Sequence, residues 1–551
     1  MKMIRDKGKG NVSYYVEEGI GLCIECFTKN NAGYINSWGL AGPDFHLQGE
    51  SQLDFIDKLK WLVKHYDLKV HSKHSKDLVI IYVNNLNYIR GFFHKYITED
   101  FQFYVQIGLL EFRPIDIWDD SLKDEYSIQK YADFLIKEVF NYENYYYITP
   151  NQIPRRHIAK AYDGETLAQK IFPERYYDYK YMRNAIFGGF YYMPNKKMLI
   201  TEPMIGLDLV SAYIYCLLIE KHCCSAFTEI DPEGFEAFIN MTTKVSIGTY
   251  KLHYTTFSKK IQCYKDIFEN NLEKGNHEVI IRLTNIDLKI ITELVTILDL
   301  ECMSLHEADV DYLPEEVRDV IVDEYIKKQI YKETGDKRLK VQKPVVNGIY
   351  GDTIRTIHDE KEFIDRKKNA TLAPQWGCFC TSYCKKLLLS LASKVDGWML
   401  SATDSVYCFD TPKNRQLIEE INSTIRARVK EFCDKFGYDY DRLKNLGTFK
   451  KEAEIVKFKA YSYGRYVYLT KEGELVIKAS GCNKDQLPQD ESIFELDDLP
   501  TGTRQLPRYT KEETHCTVDG KEYVSYGSYW EYETKSSAET DLLDVLCLLG
   551  L

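Results

Sequence analysis

The stretch that most constrains this chain is residues 398–410, which has the sequence WMLSATDSVYCFD. Apolar residues flank a small polar tip, and the alternation that follows Asp404 predicts a tight β-hairpin. The hairpin would hold the Asp404 carboxylate at its turn in buried surroundings, where an unpaired charge is costly. A metal ion could supply the counter-charge, although an Asp-Ser turn taken alone is more often structural.

A second segment, residues 205–215, carries an aspartate in a similar setting. An apolar run precedes Asp208, and Ser211 and Tyr213 follow it. This order predicts a strand that ends near Asp208 and is followed by a helix. If the two strands are neighbours, Asp208 and Asp404 converge, and two carboxylates so close repel unless divalent cations lie between them. Two-metal phosphoryl transfer needs such a pair, with ions about 4 Å apart.

A basic segment, residues 340–351, supplies a third feature. Four of its residues recur at helical spacing and so share one helix face: Lys340, Lys343, Asn347 and Tyr350. The lysines can neutralise a triphosphate, while Tyr350 and the small Gly348 offer a flat surface to a base pair. For the lysine pattern taken alone, a solvated helix face is the alternative interpretation.

In their order along the chain, these segments resemble motifs A, B and C of family B DNA polymerases. The matching patterns are Asp208-x-x-Ser-x-Tyr, Lys343-x-x-x-Asn-x-x-Tyr-Gly and Thr403-Asp404-Ser405. Two further segments agree: residues 458–461 (FKAY) resemble the Lys-x-Tyr motif that holds the primer terminus, and residues 187–190 (FGGF) resemble the Gly-Gly loop of the protein-primed phage branch. The resemblance covers roughly residues 180–485.

The resemblance implies an α/β fold in which a right-hand palm, fingers and thumb follow an N-terminal, RNase H-type exonuclease-like domain. The implied divisions are 1–140 degenerate exonuclease-like domain, 141–185 connector, 186–222 palm with motif A, 223–320 insertion like the terminal-protein region, 321–351 fingers, 352–376 trimmed second insertion, 377–466 palm with motif C and Lys-x-Tyr, and 467–551 thumb and C-terminal tail.

The implied activity is template-dependent addition of dNTPs to a primer 3′-hydroxyl in viral DNA replication. Asp208 and Asp404 would be catalytic and, with the carbonyl of Leu209, would hold two Mg²⁺ ions that Mn²⁺ can replace. The other implied roles are dNTP binding by Ser211, Tyr213, Lys343, Asn347 and Tyr350, and primer or template binding by Arg183, Gly188, Gly189, Thr403, Lys459 and Tyr461.

Several departures from the family pattern favour a rival interpretation, a catalytically inactive polymerase-like DNA-binding protein. Ala402 stands where the family usually has the first Asp of Asp-Thr-Asp, and Cys23 replaces an exonuclease carboxylate. Pro344 would kink a continuous helix unless Lys343 lies at the helix start, and it makes three other residues candidates for the triphosphate: Lys332, Arg338 and Lys340. Joint retention of five motif residues favours the polymerase: Asp208, Tyr213, Asn347, Asp404 and Lys459.

The metal-binding motifs of the N-terminal domain are degenerate. The first contains Cys23 in place of a carboxylate before Glu25, and the second has Ile89 where a carboxylate is expected. Cysteine and isoleucine do not suit Mg²⁺, which prefers oxygen ligands. Only Glu25 and Asp133 remain as residual exonuclease residues, so we expect this domain to keep its fold without proofreading.

Composition indicates the cellular compartment of the protein more clearly than its function. The net charge of −11 counts against indiscriminate nucleic-acid binding, yet 72 lysines and arginines remain to line a channel. An odd number of cysteines, 15, fits a reducing cytoplasm, and the group at Cys378, Cys380 and Cys384 is interpreted as core thiols. We expect a cytoplasmic monomer without membrane spans. Its expected partners are primer-template DNA, dNTPs and, by resemblance, a terminal protein and a single-strand-binding protein.

Overall fold

The chain separates into two compact units. A computed structural model describes residues 2–5, 12–16, 18–29, 32–50, 52–72, 75–84, 86–101, 104–114, 124–134, 153–162, 164–186, 190–193, 197–239, 241–254, 277–294, 297–336, 338–462, 464–480, 487–499, 503–518 and 521–533. The first unit contains the described residues up to 134 together with those from 503 onward, and the second contains the described residues from 153 to 499.

The first unit is built on a mixed sheet that has 12 strands among the described residues. Its strands are β1 (Lys2–Arg5), β2 (Val12–Tyr15), β3 (Ile20–Lys29), β4 (Ala32–Ala41), β5 (His46–Gly49), β6 (Val70–Ser72), β7 (Ser75–Val83), β8 (Glu99–Phe101), β9 (Tyr104–Ile107), β10 (Leu110–Pro114), β24 (Thr503–Val518) and β25 (Lys521–Glu533). Its helices are α1 (Gln52–His65), α2 (Leu86–Phe92) and α3 (Glu125–Phe134).

The centre of this sheet is parallel. Strand β7 pairs in parallel with β3 on one side and β10 on the other. Its run of apolar residues is buried throughout, as expected for a strand covered on both faces. Helix α3 lies very close to β3, because a Cβ at Gly19 or Gly21 would meet helix backbone atoms at 2.0 and 2.3 Å. The glycines before and within β3 therefore allow this close packing.

The last two strands belong to the first unit although they lie far along the chain. Strands β24 and β25 form an antiparallel ribbon, and β25 pairs with β4 at Gly527–Gly33 and Ser528–Ala32. The segment predicted as thumb and tail, 467–551, is thus divided between the two units, and its apolar end lies outside the described residues.

The described residues of the second unit form two sheets. The larger has the strand order β11-β19-β20-β13-β21-β22-β23, with β12 paired to β21, and the smaller has the order β14-β18-β16-β17, with β15 paired to β18. The strands are β11 (Phe190–Tyr192), β12 (Leu199–Ile200), β13 (Met204–Leu209), β14 (His222–Cys223), β15 (Thr228–Ile230), β16 (Lys244–Tyr254), β17 (His277–Thr284), β18 (Ile297–Asp311), β19 (Leu400–Thr403), β20 (Ser405–Phe409), β21 (Phe449–Ser462), β22 (Arg465–Thr470) and β23 (Leu475–Ala479).

Helices cover these sheets. They are α4 (Ile153–Ala161), α5 (Leu167–Ile171), α6 (Tyr176–Arg183), α7 (Ala212–Ile219), α8 (Glu236–Ile239), α9 (Asn285–Leu294), α10 (Glu315–Glu333), α11 (Leu339–Ile354), α12 (Glu360–Lys368), α13 (Pro374–Ala392), α14 (Pro412–Phe436) and α15 (Tyr440–Leu443). None of the described helices combines the length and the apolar character that crossing a membrane would need.

Helix α13 is the centre of the second core. Most of its length is buried, including Trp376, Phe379 and the three cysteines predicted as core thiols, which are free and buried. A buried ion pair joins it to the smaller sheet's helix α9, where Lys385 Nζ lies 2.6 Å from the Asp287 carboxylate. The predicted insertion is therefore packed firmly against the predicted palm.

Candidate active site

Two aspartates meet at one end of the larger sheet. Asp208 lies near the end of β13, where it pairs with Ser405 on one side and Lys450 on the other. Asp404 lies at the turn between β19 and β20, and the Leu209 N–H donates to the Asp404 carbonyl at 2.9 Å. The structure thus brings together the two carboxylates that the sequence pattern pairs.

The backbone around both aspartates is unusual. Thr403, directly before Asp404, has a φ of 61°, and Ser211, at the start of α7, has a φ of 50°. Left-handed conformations are uncommon for residues other than glycine, and such strain concentrates at functional sites. At the hairpin tip, Asp404 N–H and Ser405 Oγ both donate to the Ala402 carbonyl, at 2.8 and 3.0 Å. This tight turn fixes where Asp404 lies.

The pKa values of the two carboxyls are raised. Burial raises the pKa of Asp208 to about 7, and the charges of Asp404 and Glu452 add to this against the opposing effect of Lys343 and Lys450. Burial also raises the pKa of Asp404, while a backbone hydrogen bond and Lys343 oppose the rise. Two ionised carboxylates are therefore unfavourable here without added positive charge.

Positive charge faces the aspartates from two helices. Lys343, on α11, is exposed, forms no salt bridge with the described residues, and acts electrostatically on both carboxyls. Lys328, on α10, donates to Ser211 Oγ at 2.8 Å. Burial lowers the pKa of Lys328 to about 8, the charges of Lys343 and Lys332 act in the same direction, and Asp208 opposes them. These lysines form a basic cluster beside the carboxylates.

Lys328 was absent from the predicted site. The available signal was its spacing, because Lys328 and Lys332 are four residues apart on one helix and so share a face. Only the packing of α10 against α7 shows that this face looks toward Ser211. Of the three residues that Pro344 made candidates for the triphosphate, Lys332 lies near this cluster, whereas Arg338 pairs with Asp336 and stacks on Tyr331. Nothing is described of the Lys340 side chain.

A pair of stacked tyrosines forms a flat surface next to the carboxylates. The rings of Tyr213 and Tyr350 lie 3.8 Å apart at an angle of 8°. Tyr350 shares a hydrogen bond of 2.8 Å with Thr381 Oγ1, and the Tyr213 carbonyl accepts from Cys380 Sγ at 3.4 Å. Burial raises the pKa of both tyrosines, so both phenols are neutral at physiological pH. Residues of α13 therefore hold both tyrosines in place.

Helix α11 runs through Pro344. The proline lies within the first turns of the helix, so Lys343 is close to the helix start, which is one of the two arrangements that the sequence allowed. Asn347 is exposed, while Gly348 is buried beside Val346 and Ile349. Of the predicted polar face of α11, Lys343 and Asn347 are thus exposed, and Tyr350 is half-buried.

A buried polar network fixes α11 against its neighbours. Glu324, on α10, is 3% exposed and accepts hydrogen bonds from Gln342 and Lys327 at 2.6 and 2.9 Å. His157, on α4, lies 3.0 Å from the same carboxylate. Burial alone would raise the pKa of Glu324, but its three partners lower the pKa to about 2. This network, which the sequence pattern did not indicate, joins α4, α10 and α11.

The two residues of the Lys-x-Tyr motif are engaged inside the second unit. Lys459 Nζ donates to the carbonyls of Phe494 and Leu496 at 2.8 and 2.7 Å, and Tyr461 OH donates to the Ile493 carbonyl at 2.6 Å. Lys459 is 8% exposed and Tyr461 is fully buried. Both anchor the segment that follows β23, and their contact with a primer stays a prediction.

The predicted template contacts are only partly described. Arg183 ends α6, and its buried Nε has no hydrogen-bond partner within the described part of the chain. Gly188 and Gly189 lie outside the described residues. Arg183 is not shown in contact with the carboxylates or the basic cluster.

The first unit holds the degenerate exonuclease motifs. The Asn84 side chain accepts from the Ile24 N–H at 3.3 Å and donates to the Ile24 carbonyl at 3.2 Å and to Cys23 Sγ at 3.6 Å. Glu25 accepts from Ser37 Oγ at 2.7 Å, and Ile89 is fully buried. These positions are filled by contacts that hold strand β3 in place.

Asp133 does not join Glu25. Its carboxylate accepts from the Gly19 N–H at 2.8 Å, six residues before Glu25, a separation of about 20 Å along a strand. The N-terminal end of α3 lies near Cys23. Burial raises the pKa of the Cys23 thiol to about 11, and the charges of Glu125, Glu25 and Asp124 act in the same direction. Sequence reasoning missed Glu125, which bonds to His46 Nε2 at 2.8 Å.

Neither the Asp208–Asp404 pair nor the exonuclease-like motifs include three described side chains that could together bind a metal ion. Among the described residues, three or more His, Cys, Asp or Glu side chains nowhere cluster as a metal-binding group. The pair at Asp208 and Asp404 nevertheless suits Mg²⁺, which takes one or two carboxylates and completes its coordination with water and phosphate oxygens. In the first unit, by contrast, the Cys23 thiol stands where such a ligand would be needed.

Comparisons with known proteins give matches in structure but none in sequence families or curated proteins. No protein-family model matches the sequence, and no curated protein matches it. The structure of phi29 DNA polymerase complexed with primer-template DNA matches with a TM-score of 0.62 at 14% identity, covering 94% of this chain and 100% of that one. The complex of phi29 DNA polymerase with single-stranded DNA gives the same four values.

A ternary complex of phi29 DNA polymerase with primer-template DNA and incoming nucleotides matches with a TM-score of 0.59 at 13% identity, covering 93% of this chain and 99% of that one. At these identities the likeness establishes the fold alone. It confirms the α/β architecture predicted from the sequence motifs. The chain therefore has the fold of the family B DNA polymerases of the phi29 type.

Proposed function

We propose that the protein is a DNA-directed DNA polymerase that adds dNTPs to a primer 3′-hydroxyl on a DNA template. The observation that carries the proposal is the convergence of Asp208 and Asp404, linked by the 2.9 Å hydrogen bond from Leu209 to the Asp404 carbonyl, with Lys343 and Lys328 facing them. Carboxylates, cations and a flat aromatic surface are the parts that phosphoryl transfer from a nucleotide needs. The likeness in fold to phi29 DNA polymerase agrees with this function.

Asp208 and Asp404, with the carbonyl of Leu209, would hold two Mg²⁺ ions. Bound there, the ions would neutralise the phosphate charge and lower the pKa of the attacking hydroxyl. The raised pKa values of both carboxyls support this assignment, because they show charge that the protein itself leaves uncompensated. Mn²⁺ shares the preference for oxygen ligands and would replace Mg²⁺.

The chemical step is an in-line displacement. The primer 3′-hydroxyl gives its proton to solvent and its oxygen forms a bond to the α-phosphorus of the dNTP, while the bond from that phosphorus to the bridging oxygen of pyrophosphate breaks. Lys343 stabilises the negative charge that develops on pyrophosphate. Lys328, with a pKa of about 8, is mostly protonated at neutral pH and would exchange Ser211 for a phosphate oxygen.

The stacked tyrosines would select the sugar and support the new base pair. Tyr213 lies flat against Tyr350 and cannot move toward it, because the rings are already in contact at 3.8 Å. A 2′-hydroxyl above Tyr213 would therefore have no room to displace the ring. Asn347, which is exposed, and Tyr350, which is half-buried, would contact the nucleotide from α11.

Extension of a labelled primer on a DNA template tests the proposal. Purified protein with dNTPs and Mg²⁺, or Mn²⁺ in parallel, should extend the primer according to the template, and Asp404→Ala should abolish extension while DNA binding remains. Asp396→Asn, which changes an exposed aspartate paired with Lys413 at 2.9 Å, is the matched control and should extend normally. Extension by Asp404→Ala at the control rate would refute the proposal.

The second candidate function is DNA binding without catalysis. Ala402 favours it, because one carboxylate of the motif C pattern is missing from the hairpin. Retained binding of primer-template DNA by the wild-type protein, with no extension in either metal, would establish this alternative.

We also propose that the protein does not proofread. Cys23 and Ile89 occupy two carboxylate positions, and Asp133 is held at Gly19, away from Glu25. Incubation of the protein with single-stranded DNA and Mg²⁺ in the absence of dNTPs should leave the DNA at its full length. Shortening of the DNA that disappears in Glu25→Ala would contradict this.

Protein priming in viral replication extends the proposal and rests on the sequence resemblance. A terminal protein would then be a partner, with a single-strand-binding protein acting on the displaced strand. The small sheet between β14 and β18 occupies the predicted insertion. Primer-independent transfer of a labelled dNMP to a candidate protein, lost in Asp208→Asn, would be the supporting result.

A further inference from the structure

Pro344 removes one backbone hydrogen bond from the start of α11. It lies inside the helix, and a proline has no N–H to donate to the carbonyl four residues earlier, which here belongs to Lys340. Lys343, whose charge acts on both aspartates, directly precedes the proline. Contacts from outside α11 therefore have more influence than usual on where Lys343 lies.

A side chain of the same turn supplies such a contact. Gln342 is 8% exposed, and its Nε2 donates to the carbonyl of Glu324 at 2.9 Å and to the carboxylate of Glu324 at 2.6 Å. A side-chain amide has two N–H donors, so both are used. Because Glu324 belongs to α10, these two bonds tie the start of α11 to the neighbouring helix. We call them the Gln342–Glu324 tether.

The Glu324 end of the tether is itself held in place. The carboxylate is 3% exposed, accepts from Lys327 Nζ at 2.9 Å and lies 3.0 Å from His157 Nδ1 on α4. Hydrogen bonds to a charged group are stronger than those between neutral groups. Glu324 therefore has little freedom to follow Gln342, and a shift of α11 would break the tether instead of moving it.

The tether lies between the two lysines of the basic cluster. Glu324 and Lys328 are four residues apart on α10, so they are neighbours along one side of that helix. Lys328 donates to Ser211 Oγ at 2.8 Å, and Lys343 is the residue after Gln342. The tether thus joins the turn of α10 that precedes Lys328 to the turn of α11 that carries Lys343, and it sets how the two lysines are placed relative to each other.

We propose that Gln342 and Glu324 are positioning residues for the triphosphate of the incoming nucleotide. Their hydrogen bonds replace the support that Pro344 removes from the start of α11, and so keep Lys343 aligned with Lys328. The inference rests on the proposed function. Gln342 and Glu324 act through the lysines and have no assigned contact with the nucleotide.

Binding of a labelled dNTP to the full chain tests the proposal without chemistry. The titration contains Mg²⁺ and a primer-template whose primer ends in a dideoxynucleotide, so that no bond can form. Gln342→Met keeps the length of the side chain and the charge of the protein but removes the amide donors, and it should weaken dNTP binding roughly tenfold. The affinity for the primer-template itself should change by less than about twofold, whereas a general loss of structure would lower both affinities.

Pro344→Ala makes the test specific to the helix start. Alanine restores the N–H of residue 344, which can then donate to the Lys340 carbonyl, so the position of Lys343 depends less on the tether. In the Pro344→Ala background, Gln342→Met should weaken dNTP binding by about twofold or less, because the two residues support the same turn and their effects do not add. A loss of the same size with and without Pro344 would overturn the proposal.

The matched control is Gln416→Met on α14. Gln416 likewise donates to a glutamate, Glu420, at 2.8 Å, but on an exposed surface. This variant should bind dNTP as the wild type does, and an equal loss in Gln416→Met and Gln342→Met would overturn the positioning role. Thermal unfolding shows whether each variant is folded at the assay temperature.

Glu324→Gln tests the tether from the α10 side, also in case Gln342→Met does not fold. Positioning predicts weaker dNTP binding, because the hydrogen bonds of a charged acceptor are lost. A direct electrostatic effect on the triphosphate predicts the opposite, since removing a negative charge would favour an anion. Tighter binding by Glu324→Gln would therefore overturn the proposal.

Failure of this inference is distinguishable from failure of the polymerase proposal. A wild-type protein that binds no dNTP on the terminated primer would contradict both. Wild-type binding with the same affinity in Gln342→Met would overturn the positioning role alone, and the extension assay with Asp404→Ala would still decide the catalytic function.

Discussion

The carboxylate site of the second unit and the exonuclease-like site of the first unit were both predicted from short carboxylate motifs. The structure shows that the side chains of the two sites are paired in different ways. At Asp208 and Asp404, half-buried carboxyls with raised pKa values face lysines that compensate their charge only in part. In the first unit, the Asn84 side chain bonds to the Ile24 backbone and to the Cys23 thiol, so these two side chains hold strand β3. A functional site keeps an electrostatic cost that a structural site removes.

The largest expected effect would break this comparison outright. Asp208→Asn should reduce primer extension below detection, because the pair loses a carboxylate that would bind metal, while Glu25→Gln should leave extension unchanged. Rates of single-nucleotide addition at saturating dNTP measure both. An equal loss in the two variants would mean that the first unit also contributes to the chemistry.

The next effect concerns the basic cluster. Lys328→Ala should lower kcat/KM for dNTP by roughly 10- to 100-fold, since a charge-assisted hydrogen bond contributes about 1.5–3 kcal/mol. Lys413→Ala, which removes an exposed lysine of the same unit, serves as the control and should behave as the wild type. Steady-state kinetics on a primer-template give both values. A Lys328→Ala enzyme with unchanged kcat/KM would remove that residue from the nucleotide site.

A smaller effect is thermodynamic. The folded-state pKa of Asp208, about 7, lies above its ordinary value of 3.8. In EDTA, the contribution of Asp208 to the free energy of unfolding should therefore fall as the pH rises from 4 to 7, because ionisation is costlier in the folded state. At pH 8, Asp208→Asn should have a higher melting temperature than the wild type, and its free energy of unfolding should be larger by up to about 3 kcal/mol. Added Mg²⁺ should reduce this difference, because it would stabilise the ionised carboxylate of the wild type. Identical melting curves from pH 4 to pH 8 would contradict the raised pKa.

The smallest effect lies in the first unit. Asn84→Ala should destabilise that unit by about 1–3 kcal/mol, because the Ile24 carbonyl and N–H lose their side-chain partner. Primer extension should be unaffected at a temperature where the variant remains folded. Hydrogen exchange in β3, compared with β13, locates the change. Faster exchange in β13 alone would show that Asn84 does not act where the structure places it.

Local patterns predicted the hairpin and the strand that carry Asp404 and Asp208. The Asp404 hairpin and the Asp208 strand are short-range features, and alternation of apolar residues fixes which side chains share a face. Lys328 and Glu324 could not be found in this way, because their importance comes from the packing of α10 against α4, α7 and α11. Their own helix shows only a weakly amphipathic pattern.

Long-range pairing was equally beyond local reasoning. Asp133 was named as a residual exonuclease residue, but its position depends on where α3 packs along β3, which the close approach at Gly19 and Gly21 allows. The contact of the Lys-x-Tyr segment with a primer stays a prediction, and the hydrogen bonds of its two side chains to the backbone of residues 493–496 were not predicted. Spacing predicts which residues share an element and leaves their tertiary partners open.

The pairing of β25 with β4 has a consequence for how the chain is made. Strand β4 leaves the ribosome early, and its partner at Gly527 and Ser528 follows nearly 500 residues later, at a sequence separation that slows folding. The second unit, synthesised in between, can fold while the edge of β4 is still open. An unpaired edge is prone to associate with other chains. The open start of β4 should therefore be most prone to aggregation until the last ribbon is made, after which β24 is the outermost described strand on that side of the sheet.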